Sequence, residues 1–175
     1  MQNFLLMCNQ REINLVRNAV RHSDTPLIRK SLVAINYLGN GWLYPLAAIA
    51  IVIGYGASSW LTLMIAVVAT ALTHSIYPPI KRRLARLRPC DYDPSLNLSI
   101  KVMDEYSFPS GHVMTATSAG IPIAISFPEL TPVVLTIAAL IGWARLSLGH
   151  HYPSDLVAGA VLGALIALPL GIAFI

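Results

Sequence analysis

Residues 155–175 read DLVAGAVLGALIALPLGIAFI, a single acid followed by twenty residues without a charge. A helix that crosses a hydrocarbon core needs about 20 predominantly apolar residues, so this stretch argues for a membrane span. Gly159 and Gly163 lie four apart within it, and Ala160 and Ala164 repeat that interval. Small residues at such spacing let helix backbones approach closely where lipid supplies no hydrophobic drive for association. Pro169 interrupts the run, and neighbouring helices can satisfy the carbonyl its missing N–H leaves free.

Working outward, the pattern recurs at about residues 32–55, 60–78, 112–128 and 131–149, which brings the apolar stretches to five. The first contains Asn36, Gly39, Asn40 and Gly41, so its start is open. The third is short and must begin at or before His112. Of the 175 residues, 55% are hydrophobic and 11% charged, against about 25% charged in an average soluble domain. A soluble chain this short could not bury so much apolar surface; the surplus faces lipid. The fold class expected is all-α, a polytopic transmembrane helix bundle of about five spans preceded by an N-terminal amphipathic helix.

That helix is read over residues 2 to 22. Arg11, Asn14, Asn18 and Arg21 recur on one stripe and Ile13, Val16 and Val20 on another. It either lies in the membrane interface or packs above the bundle. Its start is too short in apolar residues for a signal peptide. The whole chain, 1–175, reads as one membrane-embedded domain, with 1–30 an amphipathic interfacial segment and 79–110 a long polar, proline-rich loop. Loops of that length are usually functional. Cys8 and Cys90 form neither a metal motif nor a disulfide framework.

Three clusters carry possible chemistry. Lys81 and Arg88-Pro89 lie in a basic run that alone would suit membrane-flanking charges. Pro109, Ser110, Gly111 and His112 stand at the mouth of the third stretch, where they could simply start a helix. Arg145, His151 and Asp155 flank the last two spans, where ionisable groups are costly and functional by default. If five spans alternate, all three clusters meet at one membrane face. Three cations, two histidines, an acid and a helix N-terminus there suit a phosphate. Guanidinium groups bind its oxygens as a fork and lysine as a point charge. The helix start offers free N–H groups, and Gly111 allows close approach. Two histidines can divide nucleophile and proton donor between them, with Asp155 orienting one imidazole.

The chain resembles the type 2 phosphatidic acid phosphatase family, which shares its site with vanadium-dependent haloperoxidases. The resemblance rests on Lys-x6-Arg-Pro at Lys81 to Pro89, Pro-Ser-Gly-His at Pro109 to His112, and Arg-x5-His-x3-Asp at Arg145 to Asp155. It implies that His151 attacks phosphorus and forms a phosphohistidine, that Asp155 orients it, and that His112 protonates the leaving group. Lys81, Arg88, Ser110, Gly111 and Arg145 would then bind the phosphoryl oxygens. It implies no cofactor and no metal. Where the family has serine before the third-motif arginine, this chain has Ala144; Ser147 is a possible replacement. Spacing selects His151 over His150, which is left as a neighbour or a lipid-headgroup contact. The family usually has six spans, and the N-terminal helix here stands in place of the first.

The partners implied are the bilayer and a membrane lipid phosphate, with no nucleic acid. Candidates are an isoprenoid diphosphate, phosphatidylglycerol phosphate, phosphatidic acid and a lipid A phosphate, and the sequence does not rank them. The resemblance implies a bacterial cytoplasmic membrane with the site facing away from the cytoplasm. The positive-inside rule points the other way, because nine further Lys and Arg residues lie on the site face. A phosphotransferase using the same intermediate is the nearest rival to hydrolysis. An anion transporter would explain cations at helix ends but not the paired histidines with Asp155.

Overall fold

The computed structural model describes residues 2–96 and 104–175, with side chains from Leu6 onward. The described residues are helical or irregular, without strands. The main helices are α1 (Gln2–His22), α2 (Pro26–Tyr37), α3 (Leu43–Tyr55), α4 (Trp60–Leu84), α5 (Pro89–Tyr92), α6 (Gly111–Ser126), α7 (Thr131–Ser147) and α8 (Pro153–Phe174). The protein is an all-α membrane helix bundle, as the hydropathy pattern predicts. The lipid-facing surface is explicit on α8, where Val157, Val161, Leu165, Leu168 and Ile172 recur every three or four residues and are all exposed.

Helix α6 is central and touches α4, α7 and α8. Its contact with α8 depends on the glycines singled out in the sequence. A Cβ on Gly159 would stand 2.6 Å from the carbonyl oxygen of Ser110, and one on Gly163 would stand 2.5 Å from that of Met114. The two backbones therefore approach more closely than any side chain allows, which holds the start of α6 against the start of α8.

Two boundaries differ from the sequence reading. The first apolar stretch starts at Pro26 rather than at about residue 32, and it is broken: α2 and α3 are joined by a widened turn, Leu38–Trp42, with Gly41 at φ 144°. The second difference lies in α4, which continues through Pro78 and Pro79 to Leu84, so the long polar segment begins at Ala85 rather than at residue 79. The two prolines remove N–H donors, but the basic residues Lys81, Arg82 and Arg83 favour the helix's negative end. Ala85, at φ 46°, closes the helix with its N–H on the carbonyl of Lys81 at 2.8 Å. Residues 97–103, with Lys101 among them, lie outside the described residues.

Helix α1 packs on the end of the bundle. Ile13 and Val16 are buried against Leu96 and Tyr152, while Arg11, Asn14, Asn18 and Arg21 are exposed. Leu6, Met7 and Leu15 also remain exposed.

Candidate active site

The sequence clusters converge at the α1-covered end of the bundle. Lys81 comes from the last turn of α4, Arg88 from the segment after it, Ser110 and Gly111 from the start of α6, and Arg145 from the last turn of α7. Helix α7 ends at a left-handed Gly149, φ 64°, which turns the chain so that His150 and His151 lead into α8. The carboxylate of Asp155 accepts the N–H of Tyr152 at 2.8 Å, capping α8, and the carbonyl of Asp155 accepts the N–H of Ser110 at 3.0 Å. The start of α6 and the acid are thus tied together through backbone.

A cavity of about 520 Å³ opens beside them. Lys81, Arg88, Gly111, His112 and Arg145 line its polar end, and Ala47, Leu63, Ala66, Val67, Ala119 and Ile123 line an apolar extension between α3, α4 and α6. Ser110, His151 and Asp155 do not line this cavity; they stand in its wall, each about fully buried. Nε2 of His151 is 3.4 Å from a guanidinium nitrogen of Arg88, and its Nδ1 is 3.5 Å from Oδ2 of Asp155. A guanidinium only donates, so Nε2 carries the free lone pair and the ring proton sits on Nδ1, toward the acid. Burial, then the positive charges of Arg88, Arg145 and Lys81, hold the His151 imidazole well below its usual pKa. The ring is therefore neutral at physiological pH. The buried hydroxyl of Ser110 has no hydrogen-bond partner among the described residues.

Several site residues carried no motif signal. Asp104 bridges two of the motif cations: its carboxylate accepts from Nζ of Lys81 at 2.8 Å and from the guanidinium of Arg88. Burial raises its pKa, but Lys81 and then Arg88 more than offset this, so the carboxyl titrates below its usual range. Asn36 accepts from Arg145, and Asn40 accepts from Nε2 of His112 at 2.6 Å. Two asparagines four apart in an apolar stretch were the available signal for these contacts. Arg86 is 2% exposed and donates to Oδ1 of Asp155 at 2.6 Å; in the sequence it was indistinguishable from the basic run around it.

Two minor expectations are corrected. Ser147 does not replace a serine at position 144: it lines a separate cavity with Arg17, Arg21 and Ser95, while Ala144 packs between Leu32 and Leu148. His150 is not a headgroup contact, because it is 1% exposed and its carbonyl accepts from Arg88 at 2.6 Å.

A family model described as the PAP2 superfamily matches residues 60–173. The chain belongs to the PAP2 superfamily. Among its relatives, the decaprenylphosphoryl-5-phosphoribose phosphatase of Mycobacterium tuberculosis is 32% identical over 144 residues, 81% of this chain and 77% of that protein. The undecaprenyl-diphosphatase of Sulfolobus acidocaldarius is 24% identical over 151 residues, 85% of this chain and 71% of that one. The PAP2-type fold is shared with the phosphatidylglycerolphosphate phosphatase of Bacillus subtilis, whose crystal structure matches at TM-score 0.72 and 21% identity, covering 95% of this chain and 90% of that one. The protein is thus an enzyme, an integral-membrane lipid phosphatase of PAP2 type.

Proposed function

We propose that the protein hydrolyses a phosphate monoester or diphosphate on a membrane lipid through a phosphohistidine at His151, without a metal ion. The observation that carries this reading is the His151 ring: Nε2 is turned toward Arg88, which lines the cavity, and Nδ1 toward Asp155. In the first step Nε2 forms a bond to phosphorus as the ester or anhydride P–O bond breaks. The leaving oxygen takes a proton from His112 in its imidazolium form, which the bound phosphate dianion favours and whose Nε2 now bonds Asn40. In the second step the deprotonated His112 removes a proton from water, whose oxygen attacks phosphorus and releases His151. Lys81, Arg88 and Arg145, with the Ser110 hydroxyl and Gly111 amide, neutralise the equatorial oxygens, the role a metal plays elsewhere.

The substrate tail occupies the apolar extension of the cavity, and the headgroup reaches the cations laterally from the bilayer. A polyprenyl-linked phosphate is the first choice, since two of the relatives are named for decaprenyl and undecaprenyl substrates. The site faces away from the cytoplasm of a bacterial inner membrane. In support, Arg86 is sequestered in the site, which takes one more residue out of the opposing Lys and Arg bias. Accessibility of single introduced cysteines at the two ends to an impermeant reagent tests the orientation.

For the chemistry, phosphate release from a polyprenyl diphosphate and from phosphatidic acid is measured in detergent with EDTA, beside His151→Ala. Metal-independent release that vanishes in the variant is the expected result. Activity that survives in His151→Ala would overturn the nucleophile, and loss of wild-type activity in EDTA would overturn metal independence. Phosphate appearing on a second lipid rather than in solution would make the enzyme a transferase.

A further inference from the structure

The PAP2 motifs leave Arg86 without a role, yet this cation is only 2% exposed and is held on several sides. Its guanidinium stacks 4.1 Å over the ring of Tyr152. It donates to Asn9 Oδ1 at 2.8 Å, to Ser154 Oγ at 2.7 Å and to Asp155 Oδ1 at 2.6 Å, with Glu12 Oε1 at 3.7 Å. Glu12 in turn accepts from the Ser154 N–H at 3.0 Å and from its hydroxyl at 2.9 Å, at the first turn of α8. Both Asn9 and Glu12 belong to α1.

Asp155 is therefore shared. Oδ1 is held by Arg86, and Oδ2 by the Tyr152 N–H, which leaves Oδ2 facing His151 Nδ1 at the longer distance of 3.5 Å. We infer that Arg86 is a positioning residue that fixes the Asp155 carboxylate and partly cancels its charge, and that Glu12 on α1 trims that cancellation. Helix α1 is thereby part of the catalytic support and not only a membrane anchor. This inference rests on His151 being the nucleophile.

The electrostatic consequence has a definite sign. Charged and titratable groups around the His151–Asp155 pair are Lys81 of α4, Arg86 and Arg88 after it, Asp104, His112 of α6, Arg145 of α7, Tyr152 beside α8 and Glu12 of α1. Removing Arg86 lets Asp155 face the imidazole with its full charge, which favours the protonated, non-nucleophilic ring. Removing the charge of Glu12 leaves Arg86 unopposed and favours the neutral ring.

The test is the acidic limb of the kcat/KM profile, with folding checked by monodisperse elution and thermal melting. Arg86→Gln should move the limb to higher pH by about one unit, and Arg86→Lys should restore most of that shift, since it keeps the charge but loses the fork. Glu12→Gln should move the limb the opposite way by less, and it carries the test alone if Arg86→Gln does not fold. A purely structural role would lower the rate equally at every pH, and limbs unmoved in the folded variants overturn the inference. His151→Ala is run in parallel. If it stays active the nucleophile assignment has failed; if it is dead while the limbs stay fixed, only the role of Arg86 has failed.

Discussion

The two ends of the bundle solve the same problem, how to finish membrane helices, with opposite chemistry. At the far end α3 and α4 are joined by Gly56–Ser59 and α6 and α7 by Pro128–Leu130. Tyr55 bonds Glu129 at 2.7 Å and stacks on Phe127, with ring centroids 3.9 Å apart. These contacts are local and partly wet. At the site end, charges that would be safer in water are buried: Lys81, Arg86, Arg88, Arg145 and Asp155 are all at most 5% exposed. Like cations held together at low dielectric are a cost that folding must offset elsewhere, and they persist where an anion is to be received. The difference separates helix ends that merely turn from helix ends that work.

The sharpest way to break this contrast is at the histidines. His112→Ala should lower kcat by about 10²–10⁴-fold, the usual worth of a general acid, whereas Glu129→Gln at the far end should leave phosphate release unchanged and alter stability by less than about 0.5 kcal/mol. Equal losses in the two variants would mean that the ends are not functionally distinct. Next in size is the helix contact beneath the site. Gly159→Ala forces a methyl into the Ser110 carbonyl and should cost about 1–3 kcal/mol, seen as a lower midpoint in thermal unfolding, with a raised KM because the start of α6 is displaced. A smaller effect is expected at Asp104, whose carboxylate occupies Lys81 and Arg88, two of the cations proposed to bind the substrate phosphate. Asp104→Asn should tighten vanadate inhibition several-fold; weaker inhibition would show that Asp104 organises the cations instead of competing for them.

The smallest effect is on pH dependence of stability. Below about pH 6.5 the unfolded chain protonates a free imidazole, but folded His151, whose pKa is depressed, does not. Its contribution to stability is therefore complete above that pH and declines as pH falls below it. Asp104, also depressed, contributes above about pH 4 and loses that contribution as pH falls through its folded value. His151→Gln should flatten the midpoint-against-pH curve between pH 6.5 and 5, approximately, while Asp104→Asn should flatten only the more acid part.

How much of this was legible depends on the range of the interaction. The α8 run, the Gly159–Gly163 interval and the three motifs are encoded within short windows, and the structure sets Lys81, Arg88, Gly111, His112 and Arg145 around one cavity with Ser110, His151 and Asp155 buried at the same end of the bundle. Their assigned chemistry is what the experiments above address. The break at Leu38–Trp42 was visible only as an uncertain boundary, because glycines and asparagines in an apolar run can mean a late start or an interruption. The persistence of α4 through Pro78 and Pro79 ran against local propensity. The roles of Arg86 and Asp104 were not legible, since each depends on partners far along the chain: Arg86 on Asn9 and Asp155, Asp104 on Lys81 and Arg88. No local pattern separates a buried arginine from its solvated neighbours Arg82 and Arg83.

The widened turn between α2 and α3 also sets where the chain can change length. Asn36 lies before the turn and meets Arg145, while Asn40 lies within it and meets His112. An insertion of one residue between them would swing everything after it by about 100° around the helix axis and aim Asn40 away from its histidine. The Gly56–Ser59 and Pro128–Leu130 turns carry no such pairing to the site, so tags, labels and loop grafts belong there, and the register from residue 36 to residue 40 is the part of the α2–α3 segment that must be kept.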